Sequence, residues 1–326
     1  MSEATATGEV GLRRLEPGDA SALRRCFERC YGDSYVYGLF YDVDEIRAHV
    51  ADGRLRSVVA VTDAGEIVGH MGLTRREDDG ATADAGNTVV DPRYRNRKLA
   101  GRLGASLVQL SRDVGLVGFH HYPTTAHPIL QKLAVLGGGI ETGIMLEFIP
   151  AGTQYRELTD VAPKHRLAVV VVYQPIAAAP AREVFLPERY ADLLGGMQAS
   201  AGLERKTLPP AASWRSAAAR AESRLDARRG VLRVWVDAAG EDLPEQIERI
   251  TSACDPEVVQ VDLALSDPGI DLAVESLRRQ GFRFCALLPE WNEGDALRMQ
   301  RVSGSSPPPE LENAEARSLL RRILEE

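Results

Sequence analysis

The stretch VVDPRYRNRKLAGRL, residues 89–103, decides how this chain is read. Two β-branched residues run through Asp-Pro into four basic residues in six, Arg93, Arg95, Arg97 and Lys98. Apolar residues then recur at helical spacing, at Leu99, Leu103, Leu107, Leu110 and Val114. A strand that turns into a helix in this way aims the helix's unpaired amides and the positive end of its dipole at one spot. Arginine and lysine in the same turn add charge-assisted bonds to phosphate oxygens. Three readings fit the stretch: a solvated helix start, a nucleic-acid contact, or a cradle for a phosphorylated cofactor.

Composition narrows the choice. The formal net charge of −8 argues against the broad basic face that nucleic acid requires, and one basic turn on an acidic chain suits a pyrophosphate better than a polymer. A length of 326 residues exceeds one typical core and predicts two domains. No apolar run reaches the length of a membrane span, and MSEATATGEV has neither the basic start nor the apolar core of a signal peptide. The expectation is a cytoplasmic protein with no membrane and no nucleic-acid partner. Cys26, Cys30, Cys254 and Cys285 are scattered, without metal-ligand spacing, and are expected to be reduced with no metal bound. Lysine occurs only at Lys98, Lys132, Lys164 and Lys206, in an alanine-rich chain that points to a GC-rich bacterial genome.

Working outward from the basic turn, VGLRRL (10–15) alternates as a strand, and residues 16–32 form a helix with Asp19 as its N-cap. An aromatic run, Tyr31, Tyr35, Tyr37, Phe40 and Tyr41, precedes a second helix from Asp42 to Gly53. LRSVVAVTDAGEIVGHMGLTR (55–75) is a hairpin, followed by a strand over 80–92 with a bulge expected at Gly86. A strand over 115–122 leads to a short helix in 126–139 with Ile129, Leu130, Leu133 and Leu136 as its apolar face, and another strand closes at 150. The second half reads as a buried strand (165–176), a helical middle, a strand (231–239), a helix near 243–253, a strand–helix–strand through 257–291, and ALRMQRV (296–302). SGSSPPPELE (303–312) reads as a linker to a terminal helix that is peripheral or a partner contact.

The basic turn, and the order of elements around it, resembles motif A of the GNAT N-acetyltransferase superfamily over about residues 9–150. The family's Arg/Gln-x-x-Gly-x-Gly/Ala loop maps onto Arg95, Asn96, Arg97, Lys98, Leu99 and Ala100, with Lys98 standing where the family has glycine. The resemblance implies acetyl-CoA as cofactor. It places Val89 and Val90 along the pantetheine arm, and Thr124, Thr125 or His127 where an asparagine usually serves. It puts Tyr35 and Tyr37 at the acceptor site, and Leu133 where a tyrosine general acid is common. Amine acetylation needs a general base. The family's glutamate position falls on Asp84, and His120 and His121 end a strand facing the cleft. For Asp84 the bland alternative is a polar residue on a wet strand face, and for the two histidines ordinary strand hydrogen bonding. His70 reads as a packed sheet residue.

The stretch 257–291, with Gly281 and Phe282 after its helix, resembles the closing strand–helix–strand of the same family without a cofactor loop. The expected organisation is therefore an α/β (α+β) chain of GNAT fold, a mostly antiparallel sheet flanked by helices, in two tandem domains. These are a GNAT domain (9–150), a linker (151–164), a degenerate GNAT-like domain (165–302) and the Pro/Ser linker with terminal helix (303–326). The expected activity is transfer of acetyl from acetyl-CoA to the amine nitrogen of a small molecule, with Asp84 and His120 as catalytic candidates. A non-catalytic pseudo-acetyltransferase that binds CoA as a regulatory or scaffolding module is the alternative, and a homodimer is left open.

Overall fold

In the first half, β-branched residues at alternate positions build a meander, and helical spacing of large apolar residues lays helices on it. The computed structural model describes residues 9–35, 37–75, 80–126, 128–153 and 163–326. The chain divides into two compact units, Met1–His121 with Gly152–Lys164, and Tyr122–Ala151 with His165–Glu326.

The first unit runs β1 (Val10–Arg14), α1 (Ala20–Tyr31), α2 (Val43–Ala51), β2 (Leu55–Thr62), β3 (Ile67–Thr74), β4 (Thr82–Val90), α3 (Leu99–Asp113) and β5 (Gly118–His121). β1 to β4 pair antiparallel in chain order, and β5 joins β4 in parallel after the α3 crossover. α1 buries Leu23, Cys26, Phe27 and Cys30 against Phe40, Ile46, Val59 and Val89, a single apolar cluster beneath the helix pair. Asp42 caps α2, accepting from the amides of Asp44 and Glu45 as the short polar side chain before an apolar-periodic run should. Asp19 does not cap α1; its carboxylate receives Arg13 and the Glu16 amide instead. The bulge in β4 sits one residue later than expected, with the positive φ of 54° at Asn87 rather than at Gly86.

The second unit holds α4 (Ile129–Leu136), β6 (Ile140–Ile149), β7 (Leu167–Pro175), β8 (Arg182–Phe185), α5 (Ala191–Ser200), β9 (Arg205–Leu208), β10 (Arg220–Asp226), β11 (Val231–Ala238), α6 (Leu243–Cys254), β12 (Val258–Ala264), α7 (Ile270–Arg279), β13 (Arg283–Leu288), β14 (Ala296–Val302) and α8 (Ala314–Leu324). Its main sheet is ordered β7-β6-β13-β14-β12-β11-β10, with β11 and β12 the parallel pair. β8 and β9 pair separately. β6 and β13 approach so closely at Gly143 that a Cβ there would lie 2.2 Å from the Ala286 Cβ, so only glycine fits. Beyond that point the Gln300 side chain bridges the two strands. Its amide donates to the Ile144 and Phe284 carbonyls at 2.9 and 3.2 Å, and its oxygen accepts from the Leu146 amide at 2.9 Å.

Four expectations fail here. The helical middle of the second half holds one α-helix, α5, among three strands, β8, β9 and β10. The buried side of α4 is Gln131 and Ala134, while Ile129 and Leu136 are exposed. Gln131 is drawn inward because its side chain has partners, the Thr124 carbonyl and the Glu312 amide. Segment 303–312 is strapped down rather than loose, with the Ser306 amide donating to the buried Glu147 carboxylate. α8 is not peripheral: Ala316, Leu319, Leu320 and Ile323 pack into the core with Leu277 and Phe284. Its first turn is held by Glu141 of β6, which accepts from the Asn313 side chain and the Ala316 amide at 2.7 and 3.1 Å.

Candidate cofactor and acyl-transfer site

In the first unit a sheet opens between β4 and β5. β4 pairs with β5 only from Thr82 to Ala85, against Gly118 to His121. β4 then runs on to Val90 while pairing on its other side with β3. The β5-facing edge of residues 86–90 is therefore outside the β4–β5 ladder, a place where an extended ligand could pair, although within 86–90 the Asn87 and Val90 carbonyls already meet the His70 and Arg95 side chains. Directly after β4 comes the basic turn.

The four basic residues of that turn divide by role. Arg93 is structural. It and Arg29 hold the buried Asp91, whose Oδ2 accepts from Arg29 Nε at 2.5 Å and Arg93 Nη2 at 2.8 Å. Burial pushes the Asp91 carboxyl up, but the hydrogen bonds from Arg93 and Arg29 prevail and hold it below the usual range. Arg93 also reaches Glu66 at 2.6 Å. Arg95 donates to the Val90 carbonyl at 3.3 Å and folds the turn back on its own strand. Arg97 lies over the Tyr94 ring at 5.0 Å. Lys98 is exposed.

Asn96 and Lys98 both take positive φ, 60° and 56°, so the backbone coils on itself just before α3. Lys98 is the N-cap residue of α3 in left-handed conformation, which explains why glycine suits this position; a lysine there costs about 1 kcal/mol. No side chain caps α3, and its first turn carries no acidic residue. Leu99 is buried as the first apolar anchor, while a methyl added at Gly86, Gly101 or Gly104 would meet nothing within 4 Å. An uncapped helix start, two cationic side chains and spare room on both the strand and the helix fit a pyrophosphate with an extended arm.

The remaining candidates fall in three groups. Asp84 and His120 occupy the same rung of the β4–β5 ladder, the penultimate one before the fork, so two residues proposed separately come together. Asp84 is half-buried and His120 fully buried. His121 shares the last rung with Ala85, and burial pushes its pKa down to about 4. Tyr35 and Tyr37 stand in the aromatic run as expected. Tyr35 packs on Phe27 and Tyr31 with centroids at 4.9 and 4.6 Å, and its hydroxyl donates to Asn87 Oδ1 at 2.9 Å. Tyr37 is exposed. Thr124, Thr125 and Leu133 belong to the second unit, where the Thr125 amide and hydroxyl both donate to the Ala168 carbonyl, at 3.0 and 2.9 Å. His127 lies outside the described residues.

Sequence comparison meets this geometry at the same place. The model of the Acetyltransferase (GNAT) family matches residues 20–127. Residues 20–127 are a GNAT-family domain. They enclose the fork, the basic turn and α3.

Among solved structures, yncA of Salmonella typhimurium, determined with its cofactor acetyl-CoA, is 14% identical with a TM-score of 0.43 and covers 53% of this chain and 97% of its own. The ribosomal-protein-S18-alanine N-acetyltransferase of Escherichia coli is 16% identical with a TM-score of 0.42, covering 53% and 97%. A mutant form of the spermidine/spermine N-acetyltransferase SpeG of Vibrio cholerae is 17% identical with a TM-score of 0.39, covering 51% and 95%. No curated protein matches the sequence. Among the described residues no helix is long and apolar enough to cross a membrane, and no group of His, Cys, Asp or Glu could hold a metal ion.

Two features of the site escaped the sequence. One is the Arg29–Asp91–Arg93 clamp under the turn, signalled only by a carboxylate at the end of an apolar strand. The other is the environment of His70, which no local pattern reveals.

Proposed function

We propose that the chain is an acetyl-CoA-dependent N-acetyltransferase that acts on an amine nitrogen of a small molecule in the bacterial cytoplasm. The observation that carries this reading is the opened edge of β4 leading straight into an uncapped, basic helix start. When bound, acetyl-CoA supplies an acetyl group activated as a thioester. The amides opening α3, with Arg97 and Lys98, would hold the pyrophosphate, and the main chain at Val89 and Val90 the arm. Asp84 or His120, at the fork, would accept the proton that the acceptor ammonium must shed before its nitrogen can attack. Tyr35 and Tyr37 would border the acceptor.

Within this reading residues 165–302 form a degenerate second GNAT-like domain. Support comes from the repeated arrangement of an antiparallel strand, a parallel strand–helix–strand and a closing antiparallel pair, in β10, β11–α6–β12 and β13–β14. Leu133, where the family commonly has tyrosine, favours the alternative of a CoA-binding module without turnover.

Titration calorimetry with acetyl-CoA tests the reading. The expected result is one site per chain with micromolar affinity, weakened at least ~100-fold in the Arg97→Glu/Lys98→Glu double variant. A folded wild type that binds no acetyl-CoA defeats it. Binding without acetylation of any amine in a broad panel selects the module.

A further inference from the structure

His70 of β3 is fully buried and lies within the helix-covered face of the first sheet, its ring 5.5 Å from both Phe27 and Phe40. Its Nδ1 is 2.8 Å from the Asn87 carbonyl oxygen, and its Nε2 is 2.9 Å from Ser57 Oγ. A carbonyl can only accept, so Nδ1 carries the hydrogen; Nε2 is then the bare nitrogen, and the Ser57 hydroxyl donates to it. The hydrogen-bond chemistry thus settles the tautomer. Burial lowers the imidazole pKa to about 4, which keeps the ring neutral in this arrangement. Gly72 makes the space: a Cβ there would stand 2.7 Å from Ser57 Oγ and 3.1 Å from His70 Cε1.

The carbonyl that His70 receives is special. The β3–β4 register pairs His70 with Val89 and Gly72 with Gly86, so Asn87 and Thr88 together face Met71 alone. That is a bulge, and it turns the Asn87 carbonyl out of the ladder. The Asn87 side chain is occupied as well, by the Tyr35 hydroxyl. Tyr35 is fixed in turn, its amide donating to the Tyr41 hydroxyl at 3.0 Å. A continuous set of hydrogen bonds therefore joins the sheet interior, the bulge and the aromatic run.

We propose that Ser57, His70, Asn87 and Tyr35 are positioning residues that lock the β4 bulge, holding the open edge at 86–90 in shape for the thioester arm and tying it to the acceptor-bordering segment 31–41. This rests on the acetyl-CoA reading above. His70 touches no reacting atom; it acts through the Asn87 carbonyl.

The test is acetyl-CoA calorimetry on the full chain, with ¹⁵N NMR of the imidazole. Leucine at position 70 keeps the bulk and removes the donor, while asparagine restores an N–H near the Nδ1 position. His70→Leu is expected to weaken acetyl-CoA binding at least ~10-fold and His70→Asn to recover it to within ~3-fold. Tyr35→Phe and Ser57→Ala, each losing one hydroxyl, are expected to weaken it ~3-fold and keep the proposal testable if His70→Leu does not fold. The wild-type NMR signature is a proton on Nδ1 whose resonance moves when acetyl-CoA is added. A proton on Nε2, or binding by the His70→Leu and Tyr35→Phe variants as tight as wild type, overturns the relay. A folded wild type that does not bind acetyl-CoA overturns the functional reading itself, whichever nitrogen carries the proton.

Discussion

Two of the strand–helix–strand units built on a parallel pair, β4–α3–β5 and β11–α6–β12, end differently. In the first the ladder stops at Ala85 and His121 while β4 continues, and the turn into the helix is Arg95-Asn96-Arg97-Lys98. In the second the ladder runs unbroken from Val231–Val258 to Val236–Leu263, and the turn is Ala239-Gly240-Glu241-Asp242. The second turn is also filled: a Cβ at Gly240 would lie 2.4 Å from Ala218, Asp242 accepts from the Ala219 amide, and Asp267 accepts from the Ala239 amide. One architecture thus gives an open cationic mouth when its strands part and a closed acidic corner when they do not. What distinguishes the two is the bulge and the charge of about four residues, far less than the fold itself.

The largest effect should appear where polar residues on the two units do opposite work. Asp262 of β12 is buried against Arg298, which is 0% exposed and bonded to both carboxylate oxygens at 2.6 and 2.7 Å. Asp262→Ala leaves that guanidinium without its partner and should cost about 3–5 kcal/mol in chemical denaturation. Asp84→Asn on β4 should change stability by no more than about 1 kcal/mol, and its effect should instead be on amine acetylation. Equal stability losses would break the contrast.

A smaller effect should come from acid. His70 has a folded pKa of about 4, against about 6.5 when unfolded, so the unfolded chain takes up a proton first as pH falls. The stability it contributes is complete above pH 6.5 and is lost towards pH 4, about 3 kcal/mol at most. His121 is shifted in the same direction by burial. Unfolding free energies across this window should fall less steeply in His70→Asn than in wild type, and identical slopes would remove His70 from the account.

The smallest effect sharpens the picture of spare room. Gly101 in the first turn of α3 has nothing within 4 Å of an added methyl, so Gly101→Ala should stabilise the protein by about 0.5–1 kcal/mol. Acetyl-CoA affinity should fall by up to ~3-fold if the pyrophosphate occupies that space. A stabilised variant with unaltered affinity would place the phosphates elsewhere.

What the sequence reveals of all this follows physical locality. The basic turn and the hairpin of β2 and β3 were legible because each is announced by neighbours in the chain. β10 was not, for RAESRLD is a largely exposed strand whose only call to order is its partner β11. The α4 face was misread because hydrophobicity alone would bury Leu136, whereas tertiary hydrogen bonds bury Gln131. At the site, the candidates Asp84 and the loop came from the family resemblance, and the ladder sets Asp84 one rung before the last. The relay was not legible, because His70 meets a carbonyl that exists outside the ladder only once β4 has bulged.

The capping of α8 by Glu141 bears on how the chain reaches its native state. The helix start depends on a carboxylate more than 170 residues upstream, 172 from Asn313 and 175 from Ala316. Contacts of that separation form late, after the intervening loop has been closed, and they are absent from structure that assembles locally. α8 should therefore be among the last elements to gain protection from hydrogen exchange during refolding, and its arrival would register the docking of β6 against the completed second sheet.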